Sequence, residues 1–138
     1  MARTRRPQAQ APAQRLILDS GAVIALARGD VRARAMLATA LERSADVRIP
    51  VAVLAETLRG GARDAPIHRV RNAVDVFPTP EAAGRLAGAL LGRTRGANTI
   101  DALVAAEALI AGADILTADT DDLTALLSNQ RRVTVVPL

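Results

Sequence analysis

Residues 112–127, GADILTADTDDLTALL, place Asp119, Asp121 and Asp122 within four positions, with Asp114 just before the apolar pair Ile115-Leu116. Carboxylates this close repel one another and are tolerated only beside solvent, a helix cap or a bound cation. Three further acids hold comparable positions. Asp19 follows directly on Leu16-Ile17-Leu18, Glu56 lies in PVAVLAETLRGG, and Asp101 lies in the first turn of TIDALVAAEALIAG. The chain has no Cys and a single His, His68, which excludes disulfides, iron–sulfur clusters, thiolate zinc and His-rich metal sites. Carboxylates without softer ligands suit a hard cation held by oxygen, Mg²⁺ or Mn²⁺.

Each acid also has a structural reading. Asp19, at the end of a strand-like run and before Ser20-Gly21, stands where an α/β site would lie and equally where a helix N-cap would. A turn of 100° per residue gathers Val51, Leu54, Ala55 and Leu58 on one stripe and aims Glu56 away from it, toward solvent or a cleft that other acids share. Asp101 opens a helix that is apolar on nearly every side and so belongs in the interior, where a lone carboxylate is costly and the helix N-terminus offsets only part of that cost. Thr99 is better placed than Asp101 to cap that helix, and the small Ala105 and Ala108 on the same face leave room beside the carboxylate. Asp119 repeats the order strand, acid, helix, and Asp119-x-x-Asp122 resembles a capping arrangement, so one of the two can be purely structural. Asp121 and Glu107 read as solvated, and Ser20 and Thr117 as hydrogen-bonding neighbours of the site.

The elements that must position these residues alternate. Strand-like runs at 15–19, 46–49, 74–77, 114–117 and 132–136 are separated by helical patterns: 20–28 closed by Gly29, 31–44 capped by Asp30, a helix starting at Pro50 and stopping at Gly60-Gly61, 65–73, 79–93 and 99–111, then one after Asp119. Such alternation predicts an α/β fold with a mainly parallel sheet, in which sites gather outside the carboxyl ends of the strands. The 138 residues suffice for one domain, 15–138. Residues 1–14, rich in Arg, Pro, Gln and Ala with no periodic apolar pattern, read as a disordered arm.

The net charge of +4 resides in the first 15 residues, which carry four Arg and no acid; the remainder balances 14 Arg against 14 acids. All basic residues are Arg, and the only aromatic is Phe77, so base stacking on aromatic platforms is not the expected way of holding nucleic acid. Arg28, Arg59, Arg93 and Arg95 are candidates for positioning phosphates. No apolar stretch long enough to span a membrane and no secretory h-region occurs, and the cytoplasm is the expected compartment.

With these residues in place the chain resembles the PIN-domain ribonucleases, and particularly the VapC-type toxins of toxin–antitoxin pairs. LILDSGAVIAL is similar to that family's opening strand with its first acid, PVAVLAETLRG to the helix carrying the glutamate, and TIDALVAAEALIAGADILTADTDDL to the stretch with the third and fourth acids. The resemblance implies a three-layer α/β/α sandwich and a metal-binding, catalytic quartet of Asp19, Glu56, Asp101 and Asp119, with Asp122 nearby. It also implies a Mg²⁺- or Mn²⁺-dependent endoribonuclease that leaves a 5′-phosphate and a 3′-hydroxyl on RNA, a cognate antitoxin and a homodimer. Dehalogenase-like phosphatases, receiver domains and P-loop enzymes need a functional Lys, which the chain lacks. The competing class is a catalytically silent PIN-like module that binds RNA or protein.

Overall fold

The computed structural model describes residues 14–138, so the expected arm falls outside the described residues except for Gln14. That residue belongs to the fold: its carbonyl accepts from Asp46 N–H at 2.8 Å and its side-chain amide donates to Asp114. Next come β1 (Arg15–Leu18), α1 (Ser20–Ala27), α2 (Val31–Glu42), β2 (Asp46–Pro50) and α3 (Val51–Thr57). A 3₁₀ turn (Ala62–Asp64) leads into α4 (Ala65–Ala73) and β3 (Asp75–Phe77). The chain continues through α5 (Glu81–Arg93), α6 (Thr99–Ala111), β4 (Asp114–Thr117), α7 (Asp121–Leu126) and β5 (Val135–Pro137).

All five strands are parallel, in the order β3-β2-β1-β4-β5. Leu16, Ile17 and Leu18 are buried on both faces because β1 is the central strand and helices cover each side. One layer contains α1 to α4 and the other α5 to α7, as right-handed crossovers require once the strand order reverses. The reversal falls between β1 and β4. In open parallel sheets the crevice outside the carboxyl ends at such a point is the place for a ligand, and Asp19 and Asp119 follow these two strands.

Several sequence expectations need correction. The second helix stops at Glu42 rather than near Ser44, which adopts φ 58° as the chain turns into β2. Its Leu41 is 43% exposed, and the buried contacts are Ala33 and Ala40. The closing strand is Val135–Pro137 rather than 132–136. Gln130 clamps both the N–H and the carbonyl of Val133, and Asp114 accepts from Thr134 N–H, so regular pairing begins only at Val135 opposite Ile115.

An acid outside the candidate set closes the segment after α3. Asp64 is buried and accepts from Arg59 N–H at 2.9 Å and Gly60 N–H at 2.7 Å, bonds that hold its carboxyl below the ordinary range. A depressed native pKa contributes stability above the unfolded value that is lost as pH falls through the folded one. Asp64→Ala should therefore lower the melting temperature by several degrees at neutral pH, with the gap from wild type narrowing below about pH 4; thermal scans across that range check it.

Candidate active site at the strand-order reversal

Asp19 is both things the sequence allowed. It is the N-cap of α1, accepting from Ala22 N–H at 2.8 Å, and it lies at the carboxyl end of β1 with only 6% of its surface exposed. Its own N–H donates to Leu116 O in β4, which fixes the residue across the reversal. Burial raises its pKa; the Thr117 hydroxyl and Ala22 N–H oppose the rise, and Glu56 and Asp119 add to it. Gly21 permits the close approach of α1 to the segment after β4, since a Cβ there would lie 3.0 Å from Ala118 Cβ and 3.3 Å from Ala118 N.

Glu56 corrects the helical phase drawn from sequence. Val51 is 44% exposed and Ala55 is exposed, whereas Ala52 and Val53 are buried. The inward face of α3 thus runs through Ala52 and Val53, and Glu56, three and four residues on, is half-buried on that side. It is neither solvated nor turned away from the core: its charge reaches both Asp19 and Asp101.

Asp101 sits in the first turn of α6, which is capped by Asn98 rather than the expected Thr99. Asn98 Oδ1 accepts from Asp101 N–H and Asn98 Nδ2 donates to Asp101 Oδ2, both at 2.8 Å. The Asp101 pKa is pushed up to about 6, first by burial, then by Asp122, Glu56 and Asp19. Ala105 and Ala108 on the same helix are fully buried.

The acidic run after β4 divides by function. Thr117 is fully buried; its hydroxyl accepts from Asp119 N–H and donates to Asp119 O, locking the turn that presents Asp119. Asp119 Oδ1 accepts from Asp121 N–H, Thr120 is the N-cap of α7, and no capping box forms. Asp122 instead faces Asp101, and Asp121 is exposed as expected. Asp114 lies at the opposite edge, with Thr134 N–H and the Gln14 amide on its oxygens.

Asp19, Glu56, Asp101, Asp119 and Asp122 therefore form one electrostatic neighbourhood. Among the described residues, the charges that act most on Asp19 and Asp101 are all other acids: Glu56, Asp119, Asp122 and Asp19 itself. Of the proposed phosphate contacts, Arg59 is spent on the carbonyls of Ala55 and Leu58. Ser20, beside Asp19, is buried with its Oγ lacking a partner. Among the described residues no three acids stand close enough to hold a metal ion as they are. Glu107 is not solvated as its helical position suggested: it is half-buried, and burial raises its pKa against an opposing contact from the Thr79 hydroxyl. An acid amid the apolar residues of α6 was the available signal.

The family profile of the PIN domain matches residues 16–126. Comparison with curated proteins gives no match. Among solved structures, VapBC2 from Rickettsia felis bound to a DNA fragment from their promoter is similar at TM-score 0.74 and 12% identity, over 91% of this chain and 99% of that one. A toxin–antitoxin complex from Klebsiella pneumoniae aligns at TM-score 0.65 and 20% identity, over 86% and 94% of the two chains. VapBC-5 from Mycobacterium tuberculosis, of the VapBC family of toxin–antitoxin systems, aligns at 0.62 and 21%, over 92% and 100%. At these identities the likeness is one of fold.

The uncompensated acids fix the sign of a pH effect. The folded chain binds the Asp101 proton more tightly than the unfolded chain, whose carboxyl titrates near 3.8. In EDTA, stability should fall as pH rises from there through about 6. Asp101→Asn should flatten this slope and melt at or above the wild-type temperature at neutral pH. Thermal scans in EDTA test it, and a variant less stable than wild type at neutral pH would show the carboxylate to be stabilising instead.

Proposed function

The chain belongs to the PIN-domain family, and on that footing we propose that it is a Mg²⁺- or Mn²⁺-dependent endoribonuclease, the toxin of a toxin–antitoxin pair. The observation that carries this reading is the concentration of five acids, without a compensating Arg, at the carboxyl edge where the strand order reverses. The donors on Asp64 lower its pKa, as a structural role requires, whereas Asp19 and Asp101 keep raised pKa values despite the donors they have.

The donor set fits a hard cation: it is all oxygen, two of its members have raised pKa values, and the orphaned Ser20 Oγ adds a neutral oxygen beside Asp19. Asp19, Asp101 and Asp119 would hold the ion, with Glu56 and Asp122 completing the set. Such an ion, when bound, supplies a Lewis acid that lowers the pKa of water and neutralises charge on the phosphodiester. The chain's own residues do the positioning. Ala22 N–H holds one oxygen of Asp19, Asn98 holds one oxygen of Asp101, and the Thr117 hydroxyl fixes the backbone of Asp119. Glu56 and Asp122 are placed to orient water or to take a proton from it at a carboxylate oxygen.

The toxin reading draws support from the fold relatives, which are toxin–antitoxin complexes. The proposed partners are RNA as substrate, a cognate antitoxin protein and a second copy of the chain, with the cytoplasm as the compartment. Among the described residues no helix is long and apolar enough to cross a membrane. The silent-module alternative is favoured by the spacing of the acids, too wide to hold an ion as they stand, and metal titration separates the two. Binding to the native state alone adds about 2.7 kcal/mol at a hundredfold excess over Kd.

Purified wild type should cut single-stranded RNA with Mg²⁺ or Mn²⁺ and not in EDTA, and Asp19→Asn or Asp101→Asn should abolish cutting with the circular dichroism spectrum retained. Full activity in either variant would sink the metal mechanism. Mg²⁺ should raise the melting temperature of wild type by several degrees and that of Asp119→Asn much less; equal shifts would remove Asp119 from the ligand set. Expression of wild type, but not of Asp101→Asn, should arrest growth.

A further inference from the structure

A second cleft adjoins the acidic site. It lies between α6 and the uncovered face of β2 and β3, encloses about 150 Å³, and is walled by Ile17, Pro50, Phe77 and Ile110 with Arg48 and Glu107 as its charged members. A cavity of this size holds a single aromatic ring system. In register, Ile17 stands opposite Arg48 and Pro50 opposite Phe77, so these residues share one face of the sheet. Three elements serve both places. β1 carries Ile17 and leads to Asp19, Pro50 caps the helix that carries Glu56, and α6 carries Glu107 and Asp101. Along α6 the last two are about 9 Å apart in axial rise.

The polar groups of the cleft are held in place and keep hydrogen-bonding capacity to spare. The Arg48 guanidinium lies 3.9 Å from the Phe77 ring centroid, and Nε and Nη2 engage both oxygens of Asp46. Nη1 has no protein hydrogen-bond partner among the described residues. Across the cleft Glu107 Oε2 is shielded from solvent, and the neighbouring Thr79 hydroxyl is its one nearby donor, close enough to lower the Glu107 pKa though not in full hydrogen-bond geometry. Arg48 and Glu107 do not neutralise each other, since the charges that reach Arg48 are Asp46 and Asp75. The cleft therefore offers donors on one wall, acceptors on another, and a flat guanidinium–ring pair between apolar sides.

We propose that this cleft is a base-recognition pocket that takes guanine from a single-stranded RNA whose backbone runs past the acidic site. Guanine has acceptors, O6 and N7, on one edge, which the remaining Nη1 of Arg48 can serve, and donors, N1–H and N2–H₂, on the next, which match a carboxylate. Unstacked RNA bases are read in this way, by stacking on ring or guanidinium planes and hydrogen bonding at their edges. Adenine lacks the N1–H donor and presents an acceptor to Glu107. The composition, with one Phe, rules out a series of stacking platforms, but one ring stiffened by Arg48 suffices for one base. The inference takes its substrate class from the ribonuclease reading.

The test reads binding rather than cutting, which keeps the two readings separable. GMP, IMP, AMP and UMP are titrated into the full chain in EDTA and followed by NMR. Binding should decline in the order GMP, IMP, AMP, with GMP about tenfold or more tighter than AMP, and the shifts should fall on Phe77 and Ile110. Glu107→Gln should remove most of the preference for GMP. Ile110→Trp, at a position 50% exposed and safe for folding, should block all four nucleotides if Glu107→Gln proves unstable. Equal binding of the four, or a GMP preference untouched by these variants, would overturn the proposal. So would saturation of the cleft by a peptide of residues 1–13 without nucleotide binding, which would make it a protein-docking site.

Discussion

A carboxylate almost without solvent, facing other carboxylates and no cation, is the arrangement on which the rest of this structure depends. Asp19 follows the central strand, and burial there disfavours its charge before any neighbour is counted. Only one edge of a parallel sheet can tolerate this. All strands end there and the following helices begin there, so unsatisfied N–H groups and the positive ends of helix dipoles converge on it. Asp19 uses that provision at α1, and Asp101 sits in the first turn of α6. An antiparallel arrangement would have scattered the same helix starts over both edges. The parallel topology is thus an electrostatic requirement of the site as much as a consequence of apolar strands.

The alternation of strands and helices was legible because its signals are local. Asp30 caps α2 and Gly112 ends α6 in the left-handed conformation. Residues 114–117 form a strand as read. The placement of Asp19 and Asp119 was legible for the same reason, each being a strand end. Glu56 was not. Its helix is short and has apolar residues on most of its surface, so Val51, Leu54, Ala55 and Leu58 form a stripe on a helical wheel as plausible as the one actually buried. What selects the face is the tertiary packing of α3 between α1 and α6, which periodicity within one segment does not contain. The closing strand failed similarly: RVTVV has strand propensity throughout, but long-range bonds from Asp114 and a local clamp from Gln130 delay its pairing. Glu107 was misread because an acid in a helix is ordinarily at the surface.

The two edges of the sheet contain similar acids under opposite conditions, and that contrast separates a structural carboxylate from a functional one. At the amino edge Asp46 is held by Arg48, with its pKa lowered, and Asp114 accepts from Gln14 and Thr134. At the carboxyl edge Asp19 and Asp101 have raised pKa values and no basic neighbour. Residue type and strand-end position are alike in both places, so neither alone tells them apart. The difference lies in whether the donors and cations that the fold provides outweigh burial and the like charges around the acid. Where they do, the acid has become part of the framework, and changing pH or removing a ligand has little left to act on. Where they do not, the charge is free to be met from outside, and a cation is the cheapest partner that several carboxylates can share. By the same test Glu107, half-buried at the wall of a neighbouring cleft with its pKa raised despite the Thr79 hydroxyl, belongs with the second group, although no strand-end motif marked it.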